Sequence, residues 1–485
     1  MKLWWLKVPV HPTWHFTAWL AGIVAGLALS VTAPAALFGA WQWMMVGAVL
    51  FGFSCYKRWR WLLLVAVLAG MLIGMSRGVL DIAARHVYAQ HVGHIVTLSG
   101  RVSEDVDRGR RGEQVVRLTD IRSGEQQLPA QIWATLEDKA AIQRSDIVTI
   151  RGRLGEGFGS FAGSIYRADI IKIERPTPGD VALHVRDDFG WHVRLGIEEP
   201  AASLGMGYLT GQRRSLPEDL DVALKIAGLT HIVVASGYNL TILVRFAKRL
   251  LEKASRYLTV LVSGIMIASF MAVTGLSPSM TRAGLVAGLA LAAWYFGRKF
   301  HPVTLLLVAA AATGLVNPSY VWGSLGWQLS FAAFAGVMVV APLGQAYFFG
   351  AKKPGMIRQI LGETISAQLA TAPLLLYSFG QISNVAVIAN ALVLPLVPFA
   401  MILTFIAGVA GYLTPALAPL VALPAQWLLD YMVYAATTTS SVSWAQSELE
   451  LPLWGVVLLF AMLAAACWWM WRASGYRLRD GNIIE

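Results

Sequence analysis

The sequence predicts a polytopic α-helical membrane protein, of about 12 spans, with a small β-barrel inserted outside the membrane. Three observations predict it. Of 485 residues, 56% are hydrophobic and only 14% are charged, against about 25% charged in an ordinary soluble domain. Apolar stretches of about the spanning length recur along the chain. Residues 94–174 interrupt them with strand-like alternation.

The apolar stretches run near 15–33, 39–55, 60–79, 231–245, 258–275, 282–297, 302–317, 325–342, 359–378, 384–411, 415–439 and 453–471. The 384–411 stretch carries Pro395 and Pro398, so it is expected to be broken or re-entrant. The first apolar run, Ala18–Val31, has no convincing small-residue cleavage site after it and more spans follow, so it is read as a span rather than a leader. Nineteen Trp and fourteen Tyr fit interfacial belts. Cys55 and Cys467 are the two cysteines, and neither implies a disulfide framework.

Basic clusters orient the spans. Lys2 and Lys7 precede the first; Lys57, Arg58 and Arg60 follow the second; Arg245, Lys248, Arg249, Lys253 and Arg256 follow the fourth. Arg298 and Lys299, then Lys352, Lys353 and Arg358, then Arg472, Arg477 and Arg479 complete the series. Nearly every other loop is basic, which puts both termini in the cytoplasm and segment 81–230 outside. The net charge of +11 has this same origin and says little about nucleic acid.

Five strands are expected at 94–103, 114–121, 130–136, 146–154 and 165–174, separated by Gly and charged residues. Five short strands in so few residues suit a small closed barrel of the OB type. Its acidic and basic residues almost cancel. Arg151, Arg153 and Arg167, with Phe158, Phe161 and Tyr166, are candidates for a single-strand groove that stacks bases. The alternative is ordinary surface charge over a barrel core. Val181–Ile197 reads as an amphipathic helix on the outer leaflet, and Leu216-Pro217-Glu218 as a helix start. The expected divisions are a three-span segment 1–80, the OB-like domain 81–178, an amphipathic connector 179–230, a membrane domain 231–475 and a cytoplasmic tail 476–485.

The polar residues inside apolar stretches are the candidate site. Ser236-Gly237-Tyr238-Asn239 interrupts a hydrophobic run, and an amide in hydrocarbon needs a partner or a wet cavity. Arg282 follows Pro278 where an external turn enters a span; a charge there must snorkel, pair or line water. Gln328, Ser330, Gln381, Ser383 and Asn390 fall on the same outer half of the membrane. Such amides and hydroxyls suit an outward-opening vestibule; the alternative is that they join helices to one another. Glu363 and Asp430 lie in or near spans, as relay acids or structural carboxylates. His91 and His94 have metal-ligand spacing without a third ligand nearby, so no metal is expected.

The order of motifs is diagnostic. Leu209–Pro217, Ala227–His231, Ser236–Asn239, Gly275–Ala283, Asn317-Pro318, Leu325–Ala333, Phe379–Ser383, Asn390 and Pro395 follow one another in a series that resembles the ComEC family, the inner-membrane DNA channel of natural competence. The resemblance covers essentially the whole chain. It departs from the family in two places. Members commonly carry Ser-Gly-Leu-His where this chain has Ser-Gly-Tyr-Asn, and Asn cannot titrate near neutral pH. Many members also add a C-terminal metallo-β-lactamase-like nuclease domain, whereas this chain ends at Glu485 with no H-x-H-x-D-H cluster, so the form lacking that domain is expected.

The resemblance implies a conduit for single-stranded DNA across the cytoplasmic (inner) membrane during natural transformation. It implies an external DNA-receptor protein and a cytosolic translocase as partners, with a separate nuclease. The path residues would be Ser236, Gly237, Tyr238, Asn239, Pro278, Arg282, Gln328, Ser330, Gln381 and Asn390. No Walker sequence and no nucleophile–base arrangement is present, so neither a cofactor nor catalysis is expected. The competing reading is a secondary transporter of a small polar or anionic solute, with a site at helices broken near Ser236 and Pro395; the large barrel argues against it.

Overall fold

The computed structural model describes residues 9–32, 39–109, 112–137, 140–212, 215–233, 237–251, 253, 255–275, 277–298, 301–350 and 354–476. They form two compact units: Met1–Asp180 with Val303–Gln328, and Val181–Pro302 with Leu329–Glu485. A helix stands on each of the apolar stretches marked above. Among the described residues, six helical segments are long and apolar enough to cross a membrane: Pro12–Thr32, Leu62–Ala89, Arg256–Thr274, Leu325–Phe349, Ala386–Leu413 and Leu453–Ser474.

In the first unit, α1 (Pro12–Leu29), α2 (Ala40–Lys57) and α3 (Leu62–Ala89) pack together. Glycines let α1 and α3 meet backbone to backbone. A Cβ on Gly22, Gly26, Gly70 or Gly74 would lie 2.0–2.3 Å from a carbonyl oxygen of the other helix. Lipid offers no hydrophobic drive for helix association, so this close fit supplies the attraction instead. His15 Nδ1 meets Ser54 Oγ of α2 at 2.7 Å.

The 28 residues of α3 span about 42 Å at 1.5 Å per residue, against about 30 Å of hydrocarbon. The expected span ended at 79, but the helix runs on through Asp81 and Arg85 to Ala89. Arg85 Nε meets Asp81 at 2.7 Å, four residues back. This pair lets charged residues continue the helix beyond the apolar run.

The tip of α3 enters the barrel. Tyr88 is 3% exposed within the barrel's hydrophobic core, and its hydroxyl donates to the Pro129 carbonyl at 2.8 Å. The strands are β1 (Ile95–Val102), β2 (Gln114–Ser123), β3 (Ile132–Leu136), β4 (Ile147–Glu156) and β5 (Gly163–Glu174). They run β1-β4-β5-β3-β2, and β2 pairs back onto β1 to close the sheet. The β3–β5 pairing is parallel and the others in the ring are antiparallel. Alternate residues Leu98, Leu118, Ile132, Ala134, Val148, Ile150 and Ile165 fill the interior. At its foot, buried Asp146 accepts two bonds from Arg175, each 2.9 Å, and Arg144 meets Asp180 at 2.6 Å.

α11 (Pro302–Val316) and the short α12 (Ser319–Gly323) complete this unit. Thr304 Oγ1 lies 2.7 Å from Thr17 Oγ1 of α1, and Arg77 Nη2 donates to the Val316 carbonyl at 3.2 Å.

The second unit begins with α4 (Val181–Arg194), α5 (Ala201–Thr210), α6 (Glu218–Ile226) and α7 (Thr230–Val233). α4 and α6 are amphipathic, with Val181, Val185 and Trp191 of α4 exposed. α5 is different: nearly every residue is buried. It is packed among α16 (Ala386–Val393), α17 (Val397–Leu413) and α18 (Ala418–Ser440) in the main core of the unit. A ten-residue apolar helix cannot span a bilayer, and here the protein interior receives it. A second cluster joins α8 (Gly237–Leu251), α9 (Arg256–Thr274) and α10 (Pro278–Tyr295) through Leu240, Val244, Ile267, Phe270, Met280 and Leu291. The break expected near Pro395 is a 3₁₀ turn, Leu394–Leu396, between α16 and α17.

Two substitutions check this account. Gly70→Val should force α1 and α3 apart at an overpacking cost of about 1–3 kcal/mol or more, read as reduced accumulation in the membrane. Tyr88→Ala should destabilise the barrel by about 3–5 kcal/mol, read as faster limited proteolysis of residues 95–174 in the full chain.

Candidate functional site

α8 begins in a knot of four chain segments. Gly237 has no side chain, and a Cβ there would lie 3.5 Å from Ala283 Cβ of α10. Tyr238 donates its hydroxyl to the Leu394 carbonyl at 3.3 Å, at the broken turn between α16 and α17. Asn239 is fully buried, and its Nδ2 donates to the Tyr208 carbonyl of α5 at 2.9 Å and the Ile232 carbonyl of α7 at 3.3 Å. Gly228 (φ +70°), just before α7, sits against α16, where an added Cβ would come 2.7 Å from Ala386 Cβ. The polar tract therefore supplies donors to the Tyr208 and Ile232 carbonyls at helix ends and a second donor to the Leu394 carbonyl, which also accepts from the Val397 amide. Ser236 lies outside the described residues.

Pro278 opens α10, with Ser277 as its N-cap. Arg282 follows one turn later, 4% exposed, its guanidinium carbon 5.6 Å from the ring centroid of Phe331. That geometry is a cation–π contact. Asn390 of α16 is 3% exposed; its backbone carbonyl accepts from the Leu394 amide, while its Oδ1 finds no hydrogen-bond donor among the described residues. Ser330 is half-buried on α13 (Leu325–Ala335).

Gln381 and Ser383 fall on β6 (Gln381–Ser383), which pairs antiparallel with β7 (Gln446–Glu448). Gln381 is exposed there, its Nε2 3.5 Å from Glu448 Oε1. Glu363 and Asp430 each bond the Gln four residues before them, Gln359 at 2.8 Å and Gln426 at 2.9 Å. In the first unit, Gln328 Nε2 donates to the carbonyls of Val321 and Trp322 at 3.0 and 3.4 Å, capping the end of α12. The structure thus joins Gly237, Tyr238 and Asn239 directly, and places Gln328 and Gln381 in separate polar caps.

On the barrel, an aromatic patch forms around Trp133. Its ring lies 5.5 Å from Phe158 and 5.1 Å from Tyr166, both edge-on, and Phe158 is 5.4 Å from Phe161. Phe158 and Tyr166 are exposed. A bulge explains the arrangement. Arg167 adopts φ +52°, the β3–β5 register shifts there, and its amide donates to Thr135 Oγ1 at 2.9 Å. That extra residue turns Tyr166 toward Trp133. Sequence reading found Phe158 and Tyr166 but missed Trp133, which lies half-buried between buried Ile132 and Ala134 in a strand without clear alternation.

The basic candidates differ. Arg151 is exposed and pairs in register with Asp169. Arg153 Nε donates to the Gly93 carbonyl at 2.9 Å, and Arg167 Nε meets Glu137 at 3.0 Å with both side chains exposed. Arg117, between Glu104 and Asp107 at 2.7 Å each, is neutralised. Burial acts to lower its pKa, but the two carboxylates outweigh it and hold it above its ordinary value. Burial likewise lifts Glu104 above the usual carboxylate range despite Arg117. Aromatic surface, rather than a dense positive groove, is the dominant feature of this face.

The model of the Competence protein family matches residues 208–473, more than half of the chain. The chain belongs to the Competence protein family. The match opens at Tyr208, the carbonyl that Asn239 holds, and takes in every member of the α8 knot. A curated relative, ComE operon protein 3 of Bacillus subtilis (strain 168), is 26% identical over 210 residues. That stretch is 41% of this chain and 25% of the relative, so the match spans about a quarter of the relative's length. No solved structure matches the chain.

Asn239→Leu should leave the Tyr208 and Ile232 carbonyls without their donor at a cost of about 1–3 kcal/mol. A lowered thermal midpoint in detergent checks this, and an unchanged midpoint would show that the knot does not depend on Asn239.

Proposed function

We propose that this Competence-family protein is a conduit that carries single-stranded DNA across the cytoplasmic membrane during DNA uptake. The family match over residues 208–473 carries the reading. The strand order with one parallel pair supports an OB-like barrel, and its exposed Phe158 and Tyr166, set against half-buried Trp133, suit the stacking of unpaired bases. With the basic loops inside, the barrel faces outward and both termini are cytoplasmic. In this reading the twelve helical stretches are spans or re-entrant segments.

The barrel receives the strand through Phe158 and Tyr166, with Arg151, Arg153 and Arg167 beside them. Ser236, Gly237, Tyr238, Asn239, Pro278, Arg282, Gln328, Ser330, Gln381 and Asn390 shape or brace the path. Amides and hydroxyls can exchange hydrogen bonds with phosphates and bases without trapping a polyanion as a row of Arg would. The chain acts without its own catalysis, so a cytosolic translocase draws the strand, an external receptor delivers it and a separate nuclease degrades its complement.

Transformation frequency in a deletion strain, with and without this chain, is the test, with surface DNA binding scored separately. Retained surface binding with loss of cytosolic DNA is the expected result. Transformation indifferent to the chain would end the conduit reading and favour solute transport at the Leu394–Leu396 break. Trp133→Ala or Tyr166→Ala should weaken binding of an oligodeoxythymidylate by about 1–3 kcal/mol, as expected for one lost stacking platform.

A further inference from the structure

The loop between β4 and β5 touches α12 backbone to backbone. A Cβ on Gly323 would lie 2.2 Å from the Gly159 carbonyl oxygen, and one on Gly159 would lie 2.7 Å from the Gly323 oxygen. The Ser160 carbonyl accepts from Arg85 Nη1 at 3.1 Å and lies 3.4 Å from Ser319 Oγ, which donates to Asn317 Oδ1 at 2.6 Å. Arg85 is held in turn by Asp81, and its guanidinium carbon lies 5.7 Å from the Trp322 ring centroid. The same loop carries Phe158 of the aromatic patch. One strip of contacts therefore runs from Tyr166 and Trp133 through Phe158 to Gly323 and Trp322, and ends where Gln328 caps α12.

We propose that this contact is a fixed threshold. It holds the barrel loop on the Trp322–Gly323 turn, so that a single strand stacked on the barrel aromatics is led onto that turn. Arg85 is the positioning residue. The inference rests on the conduit reading above. Its physical basis is effective concentration: a strand held on the barrel meets the turn at a local concentration set by the span between them, and a fixed contact keeps that span short. A barrel that merely hung from the membrane would not need glycine on both sides of the contact. Arg suits the position because its planar fork meets a carboxylate, a carbonyl and a ring face together, which an ammonium cannot.

The test uses the full chain, in cells for uptake and in nanodiscs for binding of an oligodeoxythymidylate of about four nucleotides, which fills the barrel aromatics alone and does not reach the turn. Wild-type chain that restores no uptake to a deletion strain defeats the conduit reading, and this is scored first. Gly323→Val then separates the two backbones, and Arg85→Ala removes the bonds to Ser160 and Asp81. Both variants should keep membrane abundance and probe affinity within about twofold while uptake falls at least about tenfold. Arg85→Lys should recover part of the uptake lost in Arg85→Ala, and that comparison decides the matter if Gly323→Val does not accumulate. Wild-type uptake in Arg85→Ala, or in accumulated Gly323→Val, overturns the proposal. A loss of probe affinity equal to the loss of uptake also overturns it, because the contact would then belong to the binding surface.

Discussion

A backbone carbonyl in hydrocarbon must find its donor within the protein, and that constraint organises the polar residues of this chain. At several helix ends and breaks, a side chain from another segment supplies a bond. Tyr238 serves Leu394, Asn239 serves Tyr208 and Ile232, Gln328 serves Val321 and Trp322, and Arg77 serves Val316. Each donor also fixes a neighbour in place. Breaking a helix is costly in lipid, and at these four places a donor accompanies the end or the break.

The first unit meets a second demand, that a soluble barrel be carried by membrane helices. α3 does so by being too long for the bilayer. Its apolar part packs on α1 through glycine, and its charged extension is stiffened by Asp81 and Arg85. Its tip becomes part of the barrel core through Tyr88. A flexible linker would leave the barrel free to reorient; a continuous helix whose end is buried in the barrel does not.

Much of this was legible in the residues themselves. Strand alternation located all five barrel strands within a few residues, because inward and outward positions differ in polarity along each strand. Pro395 and Pro398 marked the broken helix, because proline removes a donor. The burial of α5 was not legible: a short apolar helix looks the same whether it meets lipid, solvent or protein. Arg85 was also missed, because the apolar run ended before it and charge alone gave no reason to extend the helix. Asn239 was recognised as needing a partner, but nothing in its neighbourhood named Tyr208.

By itself, then, the sequence determined the membrane class, the positions of the helices, the strands of the barrel and the family resemblance. Each is written in local composition, in periodicity or in the order of motifs. The tertiary structure alone decided the closure of the barrel through a parallel β3–β5 pair, the seating of Tyr88 in its core, the Gly159–Gly323 contact and the partners of the polar tract. Those join residues far apart along the chain, and periodicity reports which face a residue occupies without saying what will stand opposite it.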